Sequence, residues 1–221
     1  KTTMANTGTV GFGFRMSPTL GNTPATSGQS EYKIESGLDV GIFQNNPVSL
    51  NDGGATAGEQ GYLQDASFAT TDDGGTGGAS YTNASHALMV GVFNGAFFIN
   101  NSTSKPTFAN HVLASTTFGT DYNTGSSDGI GFVNDNPQQE YVCKADAAVT
   151  QADIGTAFNC NNFTAGDARD GQSTTTLDIT SAAETKMFRV VRSANEAGNN
   201  DLTAVNANII VAWNAASNLY S

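Results

Sequence analysis

Short apolar runs that alternate with polar residues recur along the whole chain, and each is bounded by Gly, Asn, Asp or Pro. This period of two is typical of β-strands, whereas the 3.6-residue period of an amphipathic helix is nearly absent. The pattern predicts an all-β protein whose one short helical turn lies within residues 149–158. The predicted strands are YKIES (32–36), VGIFQ (40–44), PVSL (47–50), ALMVGVFNGAFFI (87–99), PTFA (106–109), GIGFVN (129–134), EYVCKA (140–145), TTTLDI (174–179), KMFRVVRS (186–193) and AVNANIIVAWN (204–214).

The longest of these runs, residues 87–99, is interrupted by Gly91 and Gly95. Glycine inside a strand pattern indicates a bulge or a close approach of another backbone. Asn94-Gly95 is also a strong hairpin signal. The run therefore predicts either one strand that bends or bulges, or two strands joined at Phe93-Asn94-Gly95.

In the last two predicted strands, the alternation of apolar and polar residues predicts which side chains face the core. Arg189 and Arg192 are expected to point outward or to an edge, while apolar residues of both strands point inward. The residues predicted to share the inward faces are Phe188, Val190, Ile209, Val211 and Trp213.

A chain of 221 residues suits one all-β domain and can bury a sizeable core. No repeat and no linker divides it. We therefore expect a single β-barrel or β-sandwich domain over residues 31–221 with long Gly/Asn-rich loops. An extended N-terminal arm over residues 1–30 precedes it, and residues from about 51 to 85 read as a long loop insertion.

The charge balance and hydropathy narrow the choice of partners. The formal net charge is −11 and the sequence pI is about 4.3, so the basic surface that phosphate backbones require is missing. No run of about 18 apolar residues is present. We expect neither nucleic acid nor a membrane as a partner.

The segment GFGFRMSPTLGN (11–22) places apolar side chains between glycines before the first predicted strand. One interpretation is an arm that extends over a neighbouring molecule, with Phe12, Phe14, Met16 and Leu20 as its anchors. The alternative is that the segment forms the first strand of the chain's own barrel.

Residues that could carry catalysis are few. The two histidines, His86 and His111, lie in no metal-ligand spacing, and no G-x-S-x-G motif is present. Acidic pairs occur at Asp72-Asp73 and at Asp167 with Asp170, both in Gly-rich loops. The loop GDARDG could offer oxygen ligands to calcium, but a solvated turn is the interpretation we favour. We therefore expect no catalytic residue, no cofactor and no metal.

Two cysteines, Cys143 and Cys160, are too few for a disulfide scaffold and match no zinc spacing. We expect two reduced and largely buried thiols. A single disulfide between neighbouring strands is the alternative.

Several stretches, in their order along the chain, resemble the capsid decoration or cement proteins of tailed bacteriophages, a group with a small β-barrel. The resemblance covers most of the chain through loose motifs. This sequence departs from that pattern at Asn45-Asn46, where an acidic residue is common, and in the length of residues 51–85. The matching stretches are GFGFRMSPTLG (11–21), YKIESGLDVGIFQNNPVSLNDGG (32–54), VGVFNGAFFINNSTSKPTFANHV (90–112), IGFVNDNPQQEYVCKADAAVTQADIGTAFN (130–159) and MFRVVR (187–192).

The resemblance implies a non-enzymatic virion protein on the capsid surface. Such a protein binds the outside of the shell, often as a homotrimer, and bridges subunits of the major capsid protein. Two alternatives stay open. One is another virion component, such as a tail subunit. The other is an extracellular β-sandwich module for adhesion or carbohydrate binding, for which loop residues Tyr62, Tyr81 and Tyr122 could supply aromatic contacts.

Overall fold

The structure, a computed structural model, describes residues 6–20, 28–38, 40–51, 58–66, 89–161 and 166–220. The protein is all-β, as predicted, with 45% of its residues in strands and 2% in helices. A closed five-stranded β-barrel forms one part of the fold, and further sheets form the rest.

The strands of the described residues are short, and most are bounded by turns. In chain order they are β1 (Arg15–Thr19), β2 (Ser30–Ile34), β3 (Ile42–Phe43), β4 (Pro47–Leu50), β5 (Leu63–Asp65), β6 (Met89–Asn100), β7 (Pro106–Ala109), β8 (His111–Val112), β9 (Phe118–Gly119), β10 (Gly129–Asn134), β11 (Gln139–Lys144), β12 (Ala157–Asn161), β13 (Gly166–Asp167), β14 (Gln172–Ser173), β15 (Thr176–Asp178), β16 (Phe188–Ser193) and β17 (Asn208–Trp213).

The barrel closes in the order β10-β2-β5-β4-β6, with β6 pairing back to β10. Its pairings are antiparallel except for β2 with β5, which are parallel. Closure leaves no unpaired edge inside the ring itself. Strands β7 and β9 extend the sheet outward from β6.

Strand β6 is one long strand with bulges, and not a hairpin at Phe93-Asn94-Gly95. Its register against β10 shifts where Val133 pairs with Phe93 and Phe132 pairs with Gly95. At Gly91 a side chain has no room, because a Cβ atom would lie 2.2 Å from the carbonyl oxygen of Asn134. The bulge that the two glycines predicted is therefore confirmed, and it lets β6 curve around the barrel.

A six-stranded sheet packs beside the barrel in the order β1-β11-β17-β16-β12-β15. Its β16–β17 pair brings Phe188 opposite Trp213 and Val190 opposite Val211. The inward faces predicted for these strands are confirmed, since all five predicted side chains are buried in one cluster. Arg192 points outward from the sheet, and its guanidinium reaches across β17 to pair with Glu140 of β11 at 2.6 and 2.9 Å.

The core consists of two hydrophobic clusters that share β6. Val90 and Phe93 of this strand lie in the cluster inside the barrel. Met89 and Val92 lie in the cluster beneath the six-stranded sheet. The barrel and the sheet are therefore joined through the two sides of one strand.

The N-terminal segment belongs to this core. Phe14 is fully buried, and its ring stacks on Phe188 at 4.3 Å between centroids. Residues 15–19 form β1, the edge strand that pairs with β11. Of the two interpretations of this segment, the structure has a strand of the chain's own fold, although in the six-stranded sheet and not in the barrel. Whether the exposed residues of this segment, such as Leu20, contact a neighbouring molecule stays a prediction.

The stretch expected to be a long loop insertion, at about 51–85, contains a barrel strand. β5 pairs Leu63 with Leu50 and with Ile34, so it closes the ring between β4 and β2. Residues 52–57 and 67–88 of that stretch lie outside the described residues. The predicted helical turn is a single 3-10 turn at Gln151–Asp153.

We predict that Phe14→Ala lowers the free energy of unfolding by about 3–5 kcal/mol, because it leaves a cavity against Phe188. Denaturant unfolding measures this loss. Leu20→Ala is the matched control from the same segment, since Leu20 is 45% exposed. Its expected effect is within about 0.5 kcal/mol. Equal effects of the two changes would contradict the position of Phe14 in the core.

Candidate functional site

An apolar row crosses the outer surface of the barrel. Cross-strand pairing places Phe108 of β7 beside Phe97 of β6, and Phe97 beside Ile130 of β10. The rings of Phe97 and Phe108 lie 4.8 Å apart. Ile99, two residues along β6 from Phe97, continues the same face. We call Phe97, Ile99, Phe108 and Ile130 the barrel face.

The barrel face exists because β6 is apolar on both of its sides. Ala96 and Phe98 point into the barrel cluster, so Phe97 and Ile99 point outward by alternation. Phe108 is 77% exposed. A large aromatic ring at this exposure, next to three further apolar side chains, is typical of a surface that another molecule covers.

A groove of about 390 Å³ runs beside the barrel face. Phe97, Ile99 and Ile130 form its apolar side. Carboxylates of Glu31, Asp121 and Asp128 line it as well. The groove thus combines an apolar floor with an acidic rim.

The part of the rim that carries Asp121 and Asp128 is a compact turn over residues 120–128. Asp121 holds it, because its carboxylate accepts hydrogen bonds from the backbone N–H of Asn123 (2.9 Å) and the hydroxyl of Thr124 (3.1 Å). Ser126 donates to Asp128 at 2.6 Å. Tyr122 stands on this turn fully exposed. The turn therefore holds an aromatic side chain in solvent on an ordered backbone.

Lys33 also lines the groove and contacts the rim. Its ammonium group lies 2.7 Å from the Asp128 carboxylate and 3.2 Å from the hydroxyl of Tyr62. The hydrogen bond from Lys33 lowers the pKa of Asp128. The Lys33 ammonium group offsets the charge of Asp128, so the net negative charge of the groove comes from Glu31 and Asp121.

The four predicted anchors of an N-terminal arm do not share one surface. Phe14 is buried, and Met16 is half-buried, with its sulfur 2.9 Å from the amide nitrogen of Asn134. Phe12 lies beneath the guanidinium of Arg15 at 4.4 Å. Leu20 is the exposed member of the four. The structure thus brings none of them to the barrel face.

The other residues considered for chemistry have structural roles. The His111 ring stacks on Phe43 at 5.7 Å, and His86 lies outside the described residues. Cys143 and Cys160 are free and buried, which confirms the expectation of two reduced thiols. Burial raises the pKa of both thiols, so neither is a ready nucleophile.

The loop with Asp167 and Asp170 is an internally bonded turn. The Asp167 carboxylate pairs with the guanidinium of Arg169 at 2.8 Å, and the Asp170 carboxylate accepts the N–H of Gln172 at 2.9 Å. Among the described residues, no group of three or more His, Cys, Asp or Glu side chains could hold a metal ion. Asp72-Asp73 lie outside those residues.

The part of the chain that the structure describes contains no helix long and apolar enough to cross a membrane. Comparison with protein-family models, curated proteins and solved structures finds no significant match. The barrel face and its groove are therefore the observations on which a function can be argued.

We predict that Arg169→Ala raises the pKa of Asp167 from about 2 toward the ordinary value near 3.9, because the guanidinium that favours the charged carboxylate is removed. An NMR titration of the Asp167 side chain measures the change. Lys186→Ala, outside this turn, serves as the control and leaves the pKa of Asp167 unchanged. An unchanged pKa in Arg169→Ala would show that the ion pair does not hold this turn.

Proposed function

We propose that this protein is a non-enzymatic structural protein of a phage virion. It binds the outer surface of the capsid and stabilises the shell by bridging subunits of the major capsid protein. The single observation that carries the proposal is the barrel face, where the exposed ring of Phe108 continues a row of partly exposed apolar side chains on the closed barrel.

The properties of the barrel face suit a repeated, symmetric contact. Its side chains sit on hydrogen-bonded strands, so little conformational entropy is lost when a partner covers them. Many identical copies on one shell convert a modest single contact into stable attachment through avidity. A ligand that binds the assembled shell and not its separate subunits stabilises the shell by mass action.

The charge of the chain and the resemblance of its motifs support the same proposal. A net charge of −11 keeps free copies apart before they attach. The acidic rim of the groove favours a partner with lysine or arginine beside an apolar patch. The resemblance to capsid decoration proteins also implies a homotrimer, and we include this self-association in the proposal.

The groove also favours a second candidate, carbohydrate binding on an extracellular surface. Sugar rings pack on exposed aromatic faces while carboxylates accept their hydroxyl groups. Tyr122, Phe108 and the carboxylates of Asp121 and Asp128 offer both kinds of contact on one side of the barrel. Tyr62 contacts Lys33 at the same groove, whereas Tyr81 lies outside the described residues.

We predict that the full-length protein sediments with empty shells assembled from the major capsid protein of the same phage genome. Phe108→Ser is expected to weaken this binding at least about 10-fold, because it removes an aromatic anchor worth more than about 1.4 kcal/mol. Co-sedimentation over a concentration series measures the affinity. Circular dichroism checks that the variant is folded.

Val205→Ser is the matched control, since it shortens another exposed apolar side chain in the loop before β17. It is expected to bind shells as the unchanged protein does. Failure of the unchanged protein to bind any shell overturns the proposal. Immunogold label on the tail would assign the protein to the tail, and saturable binding to a soluble glycan would support the second candidate.

A further inference from the structure

A buried lysine lies against an asparagine on the neighbouring strand. Lys144 ends β11 and pairs directly with Asn208, the first residue of β17. The ammonium nitrogen Nζ of Lys144 is 3.2 Å from the side-chain oxygen Oδ1 of Asn208. Lys144 is 2% exposed and Asn208 is 3% exposed. An amine and a carboxamide are thus held together away from bulk water.

A carboxylate contacts the other end of the same asparagine. Oε2 of Glu196 accepts a hydrogen bond from Nδ2 of Asn208 at 2.5 Å. Oε1 of Glu196 pairs with the guanidinium of Arg15 at 2.8 Å. Lys144, Asn208 and Glu196 form one connected chain of groups, which we call the Lys-Asn-Glu triad.

The surroundings of the triad favour a reactive amine. The ring of Phe12 lies 5.8 Å from Nζ of Lys144. Burial lowers the pKa of Lys144, and the positive charge of Arg15 lowers it further, although Glu196 acts in the opposite direction. A desolvated lysine loses its proton more readily than a solvated one, and only the neutral amine is a nucleophile.

We propose that Lys144 and Asn208 join in an intramolecular isopeptide bond, and that Glu196 transfers the protons of this reaction. The neutral Nζ of Lys144 attacks Cγ of Asn208, and a new C–N bond forms. The bond between Cγ and Nδ2 breaks, and Nδ2 leaves as ammonia. Once Nζ is bonded to Cγ it lies on the same carbon as Nδ2, which Oε2 of Glu196 contacts at 2.5 Å, and there the carboxylate takes the proton that Nζ loses and gives it to the departing Nδ2.

The step balances without any further reactant. An amine and a carboxamide give a substituted amide and ammonia, with no change of oxidation state. Because Oδ1 is bonded to the reacting carbon Cγ, the 3.2 Å contact between Nζ and Oδ1 holds the amine beside the carboxamide, and attack requires Nζ to turn from Oδ1 to Cγ.

The bond would close a loop between residues 64 positions apart and tie the end of β11 to the start of β17 in the six-stranded sheet. A crosslink of this span stabilises a fold chiefly by restricting the unfolded chain. The inference is independent of the proposed function, because it concerns a bond within one molecule.

The mass of the intact, denatured protein tests the proposal directly. We expect the unchanged protein to be lighter than its sequence mass by about 17 Da, the mass of ammonia. Tandem mass spectrometry of a proteolytic digest is expected to find residues 144 and 208 in one branched peptide. The branched peptide distinguishes this bond from loss of ammonia at another asparagine.

Variants assign the roles within the triad. Lys144→Arg keeps a charge and Glu196→Gln keeps a hydrogen-bonding partner for Asn208, and both are expected to show the full sequence mass. Lys105→Met, at an exposed lysine, is the control and keeps the loss of about 17 Da. The full sequence mass in the folded, unchanged protein overturns the proposal. A lighter mass in Glu196→Gln equal to that of the unchanged protein overturns the role of Glu196.

Discussion

The fold depends on one strand, β6, which carries apolar side chains on both of its faces. Val90 and Phe93 fill the barrel, while Met89 and Val92 fill the space under the six-stranded sheet. A strand buried on both faces cannot be exposed on either without a large loss of hydrophobic stabilisation. The glycine at position 91 serves the same arrangement, because it lets the backbone of Asn134 approach β6 closely.

Further along the same strand, Phe97 and Ile99 pass out of the two clusters and reach solvent. The apolar side chains on both faces of β6 build the core and, further along the strand, also create the barrel face. The N-terminal segment secures the other side of the fold, where Phe14 stacks on Phe188. Its neighbours Phe12 and Arg15 then cover Lys144 and Glu196, so one segment serves both the packing of the core and the geometry of the Lys-Asn-Glu triad.

Much of the fold could be predicted from local patterns in the sequence. The strands PVSL (47–50), PTFA (106–109) and GIGFVN (129–134) have the predicted bounds, because alternation and flanking turn residues mark both ends. β5 was not predicted, since a strand of three residues, Leu63–Asp65, is too short to show a period and its partners are distant in sequence. Long-range pairing, and not local propensity, makes it a strand.

The candidate sites were harder to predict. The apolar residues of segment 11–22 left open whether they pack against a neighbouring molecule or within the chain's own fold, and the sequence could not say that Phe188 was the partner of Phe14. The barrel face was hidden because Phe97 and Ile99 read as core within a continuous apolar run. The Lys-Asn-Glu triad depends on the register of β11 with β17, which places Lys144 opposite Asn208. The positions of Lys144 and Asn208 along the sequence do not show that they lie side by side.

The most direct test of the proposed function is a cryo-electron microscopy reconstruction of the virion at a resolution that shows strands. We expect the five-stranded barrel on the outside of the head, with Phe97 and Phe108 turned toward the major capsid protein. Density for the barrel on the tail, or on the head with the barrel face in solvent, would contradict the proposed function.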